Sequence, residues 1–449
     1  HIFKLMGSFA DALNYGIPFF SILICIEFIY GYVVKNQTLR WMDTVASLSS
    51  GITNITKSIL GIVIMLIGYD FLLRHLGPSQ PLKATWWMYV IVFIVKDFAG
   101  YWVHRWEHEI NVLWNRHLIH HSSEEFNLAC ALRQSVSEIF SFIAIFYLPL
   151  ALVGIPTEVF ALIAPIHLFA QFWYHTQHIG TMGILEKIIV TPSHHRVHHA
   201  INPIYLDKNY SQIFIVWDKL FGTYQDELKE EKPVYGIKRP SHTWNPFLIN
   251  FQHNALLLFD TIRTKRFIDK VRLWFMPTGW RPEDVAERYP VAVIDQPKDQ
   301  DKFNPKSSLA LKAWAAIQMT ISVISAMFLF NHLVAIHEAG THLGLAMMQP
   351  TLLYGFFIFL SIFSYTSLMD RRIASVFWES LRLILGLFIM ATWDGWFTLS
   401  FTLPMSSSYI IGYLWVSYAM SFFFVVFDFL KDTSLDSRGA NLWPEFAKK

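Results

Sequence analysis

Twelve of the 19 histidines in this 449-residue chain fall between His104 and His199, and their spacing says more than their number. His104-Arg-Trp-Glu-His108 reads HxxxH, which on a helix sets two imidazoles on one face, a turn apart. His117-Leu-Ile-His120-His121 reads HxxHH and places His120 and His121 on the turn above His117. His175-Thr-Gln-His178 follows an apolar run, and Thr191-Pro-Ser-His194-His195-Arg-Val-His198-His199 supplies a second HxxHH as His195, His198 and His199. Neutral imidazole suits iron, copper, nickel and zinc, and roughly eight to ten ring nitrogens hold two ions with coordination positions left open. A single structural zinc needs only about four ligands. Reduction of dioxygen against an unactivated C–H bond is a task that a two-iron centre meets. One HxxxH alone is as well explained by helix packing. Four groups in order are not.

The elements that carry these groups have a membrane composition. The hydrophobic class makes up 53% of the chain, aromatic residues 16% and charged residues only 16%, against about 25% charged in soluble domains. Apolar runs of roughly bilayer-crossing length lie near 16–34, 52–73, 85–103, 139–155, 157–174, 312–336, 351–369, 379–403 and 408–430. The stretch 175–308 is too charged to enter lipid and carries breakers such as Lys232-Pro233 and Arg281-Pro282. The expected fold is therefore an all-α polytopic membrane protein with about nine transmembrane helices. Its expected parts are a membrane catalytic domain over 1–225, a cytoplasmic polar connection over 226–308 and C-terminal transmembrane helices over 309–449.

Nine crossings put the segments holding all four histidine groups on one side, with most of the Lys and Arg, among them Arg371 and Arg372. The other side receives only Lys4, Arg74 and Lys83. The positive-inside rule makes the histidine side cytoplasmic: the endoplasmic reticulum in a eukaryote, the inner membrane in a bacterium. The net charge of +2 and the lack of a basic block with interleaved aromatics give no sign of a nucleic-acid partner. Cys25 and Cys130 form no CxxC pair, which argues against disulfide frameworks and zinc ribbons. The chain begins at His1 rather than Met, so a start upstream is expected, and no cleavable signal sequence is read.

In these motifs the chain resembles the fatty acid hydroxylase (sterol desaturase) superfamily, whose pattern is HxxxH, HxxHH and a later HxxHH in this order. Within it the resemblance is greatest to the alkylglycerol monooxygenases, carried by Lys96 to Glu109, by His117 to Asn127 with Ala131 to Ser135, and by Gln171 to Thr223. The resemblance implies hydroxylation of the ether-linked carbon of an alkylglycerol with dioxygen as co-substrate and tetrahydrobiopterin as reductant. The product hemiacetal then falls apart to a fatty aldehyde and a glycerol derivative. It also implies two iron ions held by His104, His108, His117, His120, His121, His175, His195, His198 and His199. His178 fits the broader hydroxylase pattern as a further ligand, and His194 is a ligand or a hydrogen-bond partner. Glu109 follows the first box and is expected to bridge the ions or to orient a ligand.

Other residues need separate readings. Lys96 and Asp97 sit within the third apolar run, where ionisable groups are expensive and usually functional. Asp97 is two turns, about 10 Å, before His104, so it is expected to orient a ligand on a neighbouring segment or to pair with Lys96. Glu109 and Asp97 are the candidate catalytic residues. His337-Glu338-Ala-Gly-Thr-His342 resembles a metalloprotease motif, but its histidines are five apart, which rotates the second by about 140°. His167 reads as a core or cavity histidine. Rival functions are a sterol, fatty acid or carotenoid hydroxylase or desaturase and, in another class, a membrane metal transporter or zinc-binding protein. The expected partners are the bilayer and a lipid substrate; motifs leave the electron donor open.

Overall fold

The computed structural model describes residues 2–60, 64–65, 69–138, 140–141, 143–338, 345–393, 396 and 406–429. Among the described residues the regular elements are helices apart from two two-residue strands. In chain order they form α1 (Ile2–Val33), α2 (Trp41–Ile59), β1 (Ile64–Met65), α3 (Tyr69–Leu76), α4 (Trp86–Glu109), α5 (Asn111–His121), β2 (Phe140–Ser141), α6 (Leu148–Val153), α7 (Thr157–Phe169), α8 (Pro192–His198), α9 (Val216–Phe221), α10 (Pro246–Arg263), α11 (Phe267–Arg272), α12 (Glu283–Arg288), α13 (Leu309–Glu338), α14 (Leu345–Met369), α15 (Ser375–Thr392) and α16 (Ser406–Phe423). The strands β1 and β2 pair in parallel.

Two compact units divide the chain, and they do not follow chain order. The first holds 1–39, 63–240 and 253–301; the second holds 40–62, 241–252 and 302–449. In the first, α4 runs 24 residues and is stopped at Ile110, whose extended backbone (φ −115°, ψ 121°) ends the helix and starts α5 in a new direction. That break lets two histidine motifs close in sequence face each other. The turn is secured from outside. Asn111 Nδ2 donates to the carbonyls of Leu273 and Trp280 at 2.9 and 3.0 Å, while the Asn111 and Val112 amides donate to Met276 and Trp274.

The expectation of nine crossings is not confirmed, and two of the apolar runs behind it do not form single helices. Among the described residues, five helical stretches are long and apolar enough to cross a membrane by length and composition: Trp86–Glu109, Leu309–Val334, Gln349–Met369, Ser375–Thr392 and Ser407–Phe429. They make the chain a multi-pass membrane protein. Pro18–Val33 and Thr157–Phe169 are shorter apolar helices. The run 139–155 forms a 3-10 turn at Ile143–Tyr147 and then α6, six residues long and ended by Gly154 in the left-handed region (φ 88°). Such a helix is about 9 Å long, far short of a hydrocarbon core of about 30 Å. The run 52–73 is no single helix either, since α2 stops at Ile59. Its apolar count hid an amphipathic helix that buries Asp43, Ser49, Ser50, Thr53, Thr56 and Lys57 within the second unit. Glu338 ends α13, and the rest of the protease-like motif, through His342, lies outside the described residues, as does 430–449.

The second unit holds a buried ion pair on α15. Arg382 on α15 donates to Glu379, to Ser361 Oγ at 2.9 Å, to Ser417 Oγ at 2.7 Å and to the Tyr413 hydroxyl. Ser364 Oγ donates to the other oxygen of Glu379 at 2.6 Å. Both side chains are almost wholly buried. Because a pair deprived of one partner leaves an uncompensated charge in apolar surroundings, Arg382→Ala is expected to destabilise the detergent-solubilised protein by about 3–5 kcal/mol. The double variant Arg382→Met, Glu379→Gln should recover much of the loss; thermal unfolding of the three proteins checks both.

Candidate metal centre

Nine histidines from three helices and one turn converge in the first unit. His104 and His108 share a face of α4, and His117, His120 and His121 lie on α5. His175 stands in the turn after α7, while α8 supplies His195 and His198, with His199 as its C-cap. They sort into two groups, His104, His108, His117, His121 and His198 in one, and His120, His175, His195 and His199 in the other. Within each group the ligand atoms lie within 4.8 Å of one another. Neighbouring residues serve different groups: His120 and His121 part company on α5, and His198 and His199 at the end of α8.

The backbone sets the proton on four of these rings. His104 Nδ1 donates to the Tyr210 carbonyl at 2.6 Å, His198 Nδ1 to Lys208 at 2.9 Å, His120 Nδ1 to Arg133 at 3.2 Å and His175 Nδ1 to Gln171 at 3.0 Å. A carbonyl only accepts, so Nδ1 carries the proton and the Nε2 lone pair is left facing inward. Those lone pairs meet. His120 Nε2 and His175 Nε2, neither with a proton, are 3.3 Å apart. The Nε2 pairs His104–His117, His175–His195, His195–His199 and His120–His199 are 2.9, 2.8, 3.0 and 3.1 Å apart. The Nε2 atoms of His108, His121 and His198 are buried with no protein partner. Facing acceptors repel unless a cation lies between them. Two nitrogens at right angles on an ion with bonds of about 2.1 Å are about 3.0 Å apart, so the residues present fit metal ions.

Burial governs the charge of the rings. It pushes His120 down to about 3, helped by the nearby imidazole of His104 and opposed by the carbonyl of Arg133. Burial likewise holds His117, His121, His175, His195, His198 and His199 well below the ordinary imidazole value, and neighbouring rings add to the effect. The rings are therefore neutral at physiological pH, the state in which imidazole binds metal.

A second layer of residues holds the carbonyls. Asp207 and Asn209 adopt the left-handed region (φ 58° and 55°), which Asp and Asn tolerate better than most residues. These kinks flank Lys208 and precede Tyr210, the two residues whose carbonyls receive His198 and His104. Asp218, wholly buried, accepts from the amides of Tyr210 and Ser211, both at 2.8 Å, and from Thr223 Oγ1 at 2.6 Å. Asp97 accepts from His167 Nε2 at 2.9 Å, the amides of Ile213 and Phe214 at 2.9 and 3.0 Å, and Trp217 Nε1 at 2.8 Å. Thus α4 binds, through Asp97, the segment that orients His104. Arg196 on α8 clamps the His175 turn by donating to the carbonyls of Thr176 and Ile179 at 3.0 and 2.7 Å, and it pairs with Glu227.

Four residues named from the sequence stand outside both groups. His178 Nε2 is 3.4 Å from Thr38 Oγ1 and its ring meets Tyr30 edge-on. His194 occupies the third position of α8, where its Nδ1 accepts from the Thr191 amide in a capping box; Glu or Gln commonly fills that place. Glu109 pairs with Arg105 at 2.8 Å and is 39% exposed. Asp97 reaches the histidines only through the backbone segment it binds, and its buried partner is His167 rather than a clustered ring. Sequence reasoning passed over Glu107, whose carboxylate lies 3.7 Å from His117 Nδ1 and pairs with Arg116. It sits inside the first box, so its position was a usable signal. The carbonyls of Arg133, Gln171, Lys208 and Tyr210 have no such signal, since every residue has one.

Known proteins resemble this chain over the stretch that holds the histidines. The fatty acid hydroxylase family matches residues 89–223. The human protein named alkylglycerol monooxygenase is 33% identical over 389 residues, 86% of this chain and 84% of its own. Its Xenopus tropicalis counterpart is 33% identical over 393 residues, with the same shares. An ornithine lipid hydroxylase of Rhizobium tropici, OlsE, is 29% identical over 163 residues, 36% of this chain and 49% of its own. No solved structure matches. The family match encloses all nine clustered histidines, and the likeness to the two vertebrate proteins extends over most of each chain: the protein belongs to the fatty acid hydroxylase family.

Proposed function

We propose that this protein is a di-iron lipid monooxygenase that hydroxylates the ether-linked carbon of an alkylglycerol. The observation that carries this reading is the convergence of nine imidazoles, buried except for the half-buried His117 and His120, with the Nε2 lone pairs of His104, His120, His175 and His198 turned inward. The first ion belongs with His104, His108, His117, His121 and His198, and the second with His120, His175, His195 and His199. Bound there, two irons supply the reduction of dioxygen and the removal of hydrogen from the substrate carbon. The balance is one C–H bond, one dioxygen, two electrons and two protons giving one C–OH and one water. The hydroxylated ether carbon is a hemiacetal, which loses the glycerol oxygen and leaves a fatty aldehyde. The choice of alkylglycerol rests on the likeness to proteins that bear that name, and that of tetrahydrobiopterin as electron donor on the resemblance of the sequence motifs alone.

The chain's own part is positional. Backbone carbonyls hold His104, His120, His175 and His198 in one tautomer, and burial keeps bulk water from the rings. Asp97 and Asp218 act through the carbonyls, not on the reacting atoms. A site of this kind, built partly on the membrane-crossing α4, suits a substrate whose alkyl chain stays in lipid. We place it on the cytoplasmic face by the distribution of Lys and Arg in the sequence.

Elemental analysis after anaerobic iron loading should find about two irons per chain, with release of fatty aldehyde from 1-O-alkylglycerol that depends on tetrahydrobiopterin. Two irons without that release would keep the oxygenase and discard the substrate. His120→Ala and His198→Ala, one from each group, should each lose metal and reduce turnover by more than the roughly 10- to 100-fold that follows loss of an outer partner; full activity in either would refute the assignment. Asp97→Asn should weaken iron retention against a chelator by about 10-fold or more, with Asp97→Glu intermediate.

Acid should unfold the metal-free protein early. Its buried rings resist protonation when folded, while in the unfolded chain they titrate near the ordinary value of about 6.5. The unfolded state therefore binds more protons as pH falls below about 6.5, and stability drops from there towards the folded values, about 3 for His120. The unfolding midpoint of the metal-free protein should fall steadily between about pH 7 and 5, and variants lacking several of these histidines should show a shallower fall.

A further inference from the structure

Between Leu258 and Phe275 the connecting region presents a row of large apolar side chains to its surroundings. Leu258, Ile262, Phe267, Ile268, Val271 and Phe275 are all more than half exposed, with Phe267 at 79% and Phe275 at 71%. Such a concentration is unusual on a surface that meets only water and marks an interaction site. The row does not come from loose chain. Behind it Leu256, Leu257 and Leu273 are buried. Asp260 is buried against Arg281, and Asp269 against Arg272 at 2.6 Å. Thr264 Oγ1 and the Lys265 amide donate to Asp284 at 3.1 and 2.9 Å, fixing the corner between α10 and α11. The exposed face is thus built on a folded support.

Two further observations indicate what it meets. Charge is the first: Arg263, Lys265, Arg266, Lys270 and Arg272 are interleaved with the apolar residues, and the only acids in the stretch are Asp260 and Asp269, both buried in ion pairs. The second is attachment. Residues 273–280 are hydrogen-bonded to the chain immediately after α4: Asn111 and Val112 donate to Met276 and Trp274, Thr278 donates to Glu109, and Asn111 Nδ2 reaches Leu273 and Trp280. Since α4 is long and apolar enough to cross the membrane, its last residues lie where lipid gives way to water. The apolar row is tied to that level.

We propose that 258–275 is an interfacial membrane anchor, which seats its apolar side chains among the acyl chains of the leaflet at the end of α4 and its basic side chains against anionic lipid headgroups. An exposed apolar face rimmed by Lys and Arg is what a segment lying in the interface requires, and basic residues beside a membrane helix favour anionic lipid. The region expected from sequence to be a water-exposed connection then becomes part of the membrane-bound surface. This inference does not rest on the proposed reaction.

Spin labels at Phe267→Cys and Phe275→Cys, in full-length protein with Cys25 and Cys130 replaced, would test it in lipid nanodiscs. Glu287→Cys on the exposed side of α12 serves as the control. Both test labels should relax faster with lipid-soluble oxygen than with a water-soluble nickel chelate, and the control should show the reverse. Replacing a quarter of the phosphatidylcholine by phosphatidylserine should deepen the test labels, and Lys265→Gln, Arg266→Gln should cancel that change. Labels as accessible to nickel as the control would overturn the proposal. So would labels shielded from both reagents, the sign of a protein partner. A variant that fails to purify at one position leaves the other label, and Ile268→Cys, to decide.

Discussion

Electrostatic repulsion between unprotonated nitrogens is the constraint on which the metal centre depends. Packing four or five imidazoles with their Nε2 atoms inward is unfavourable without a cation, and each ring would relieve it by turning or by taking up a proton. Hydrogen bonds from Nδ1 to the carbonyls of Tyr210, Lys208, Arg133 and Gln171 resist the first, and burial the second. Much of the surrounding structure keeps those carbonyls in place: the left-handed residues Asp207 and Asn209, the buried carboxylates of Asp97 and Asp218, and Arg196 across the His175 turn.

Buried acids do quieter work here than their place in a metal enzyme first implies. Asp97 lies in a membrane helix, where an ionised side chain is costly unless well partnered, and four donors surround it. Its cost is offset by what it organises, since it receives the amides of Ile213 and Phe214 and the indole of Trp217. In the second unit Glu379 and Arg382 follow the same rule with a charged partner instead of backbone amides.

What could be read from sequence tracks how local the signal is. HxxxH and HxxHH depend only on helix periodicity, so the rings now found in two groups were legible, and so was their gathering from distant segments. His194 was not, because a capping histidine and a ligating one look alike in a run such as Thr191-Pro-Ser-His194-His195; only the orientation of Nδ1 tells them apart. Glu109 attracted notice by following the box, yet two residues earlier Glu107 points back towards His117. Two apolar runs misled where apolar content stood in for helix length: Gly154 cuts α6 short, and α2 buries a polar face that a window average conceals. The grouping of 40–62 with the C-terminal helices is a long-range packing outcome that no local pattern carries.

The alternation of adjacent histidines between the two groups has a thermodynamic consequence. His120 and His121 ride on one turn of α5, and His198 and His199 on one end of α8, so each helix contributes to both sites. An ion captured by either group pins the two helices, and the second ion then finds its ligands already ordered, with less conformational entropy left to lose. By linkage the help is mutual. With ions bound as proposed, this coupling would favour filling and emptying together over a half-loaded centre.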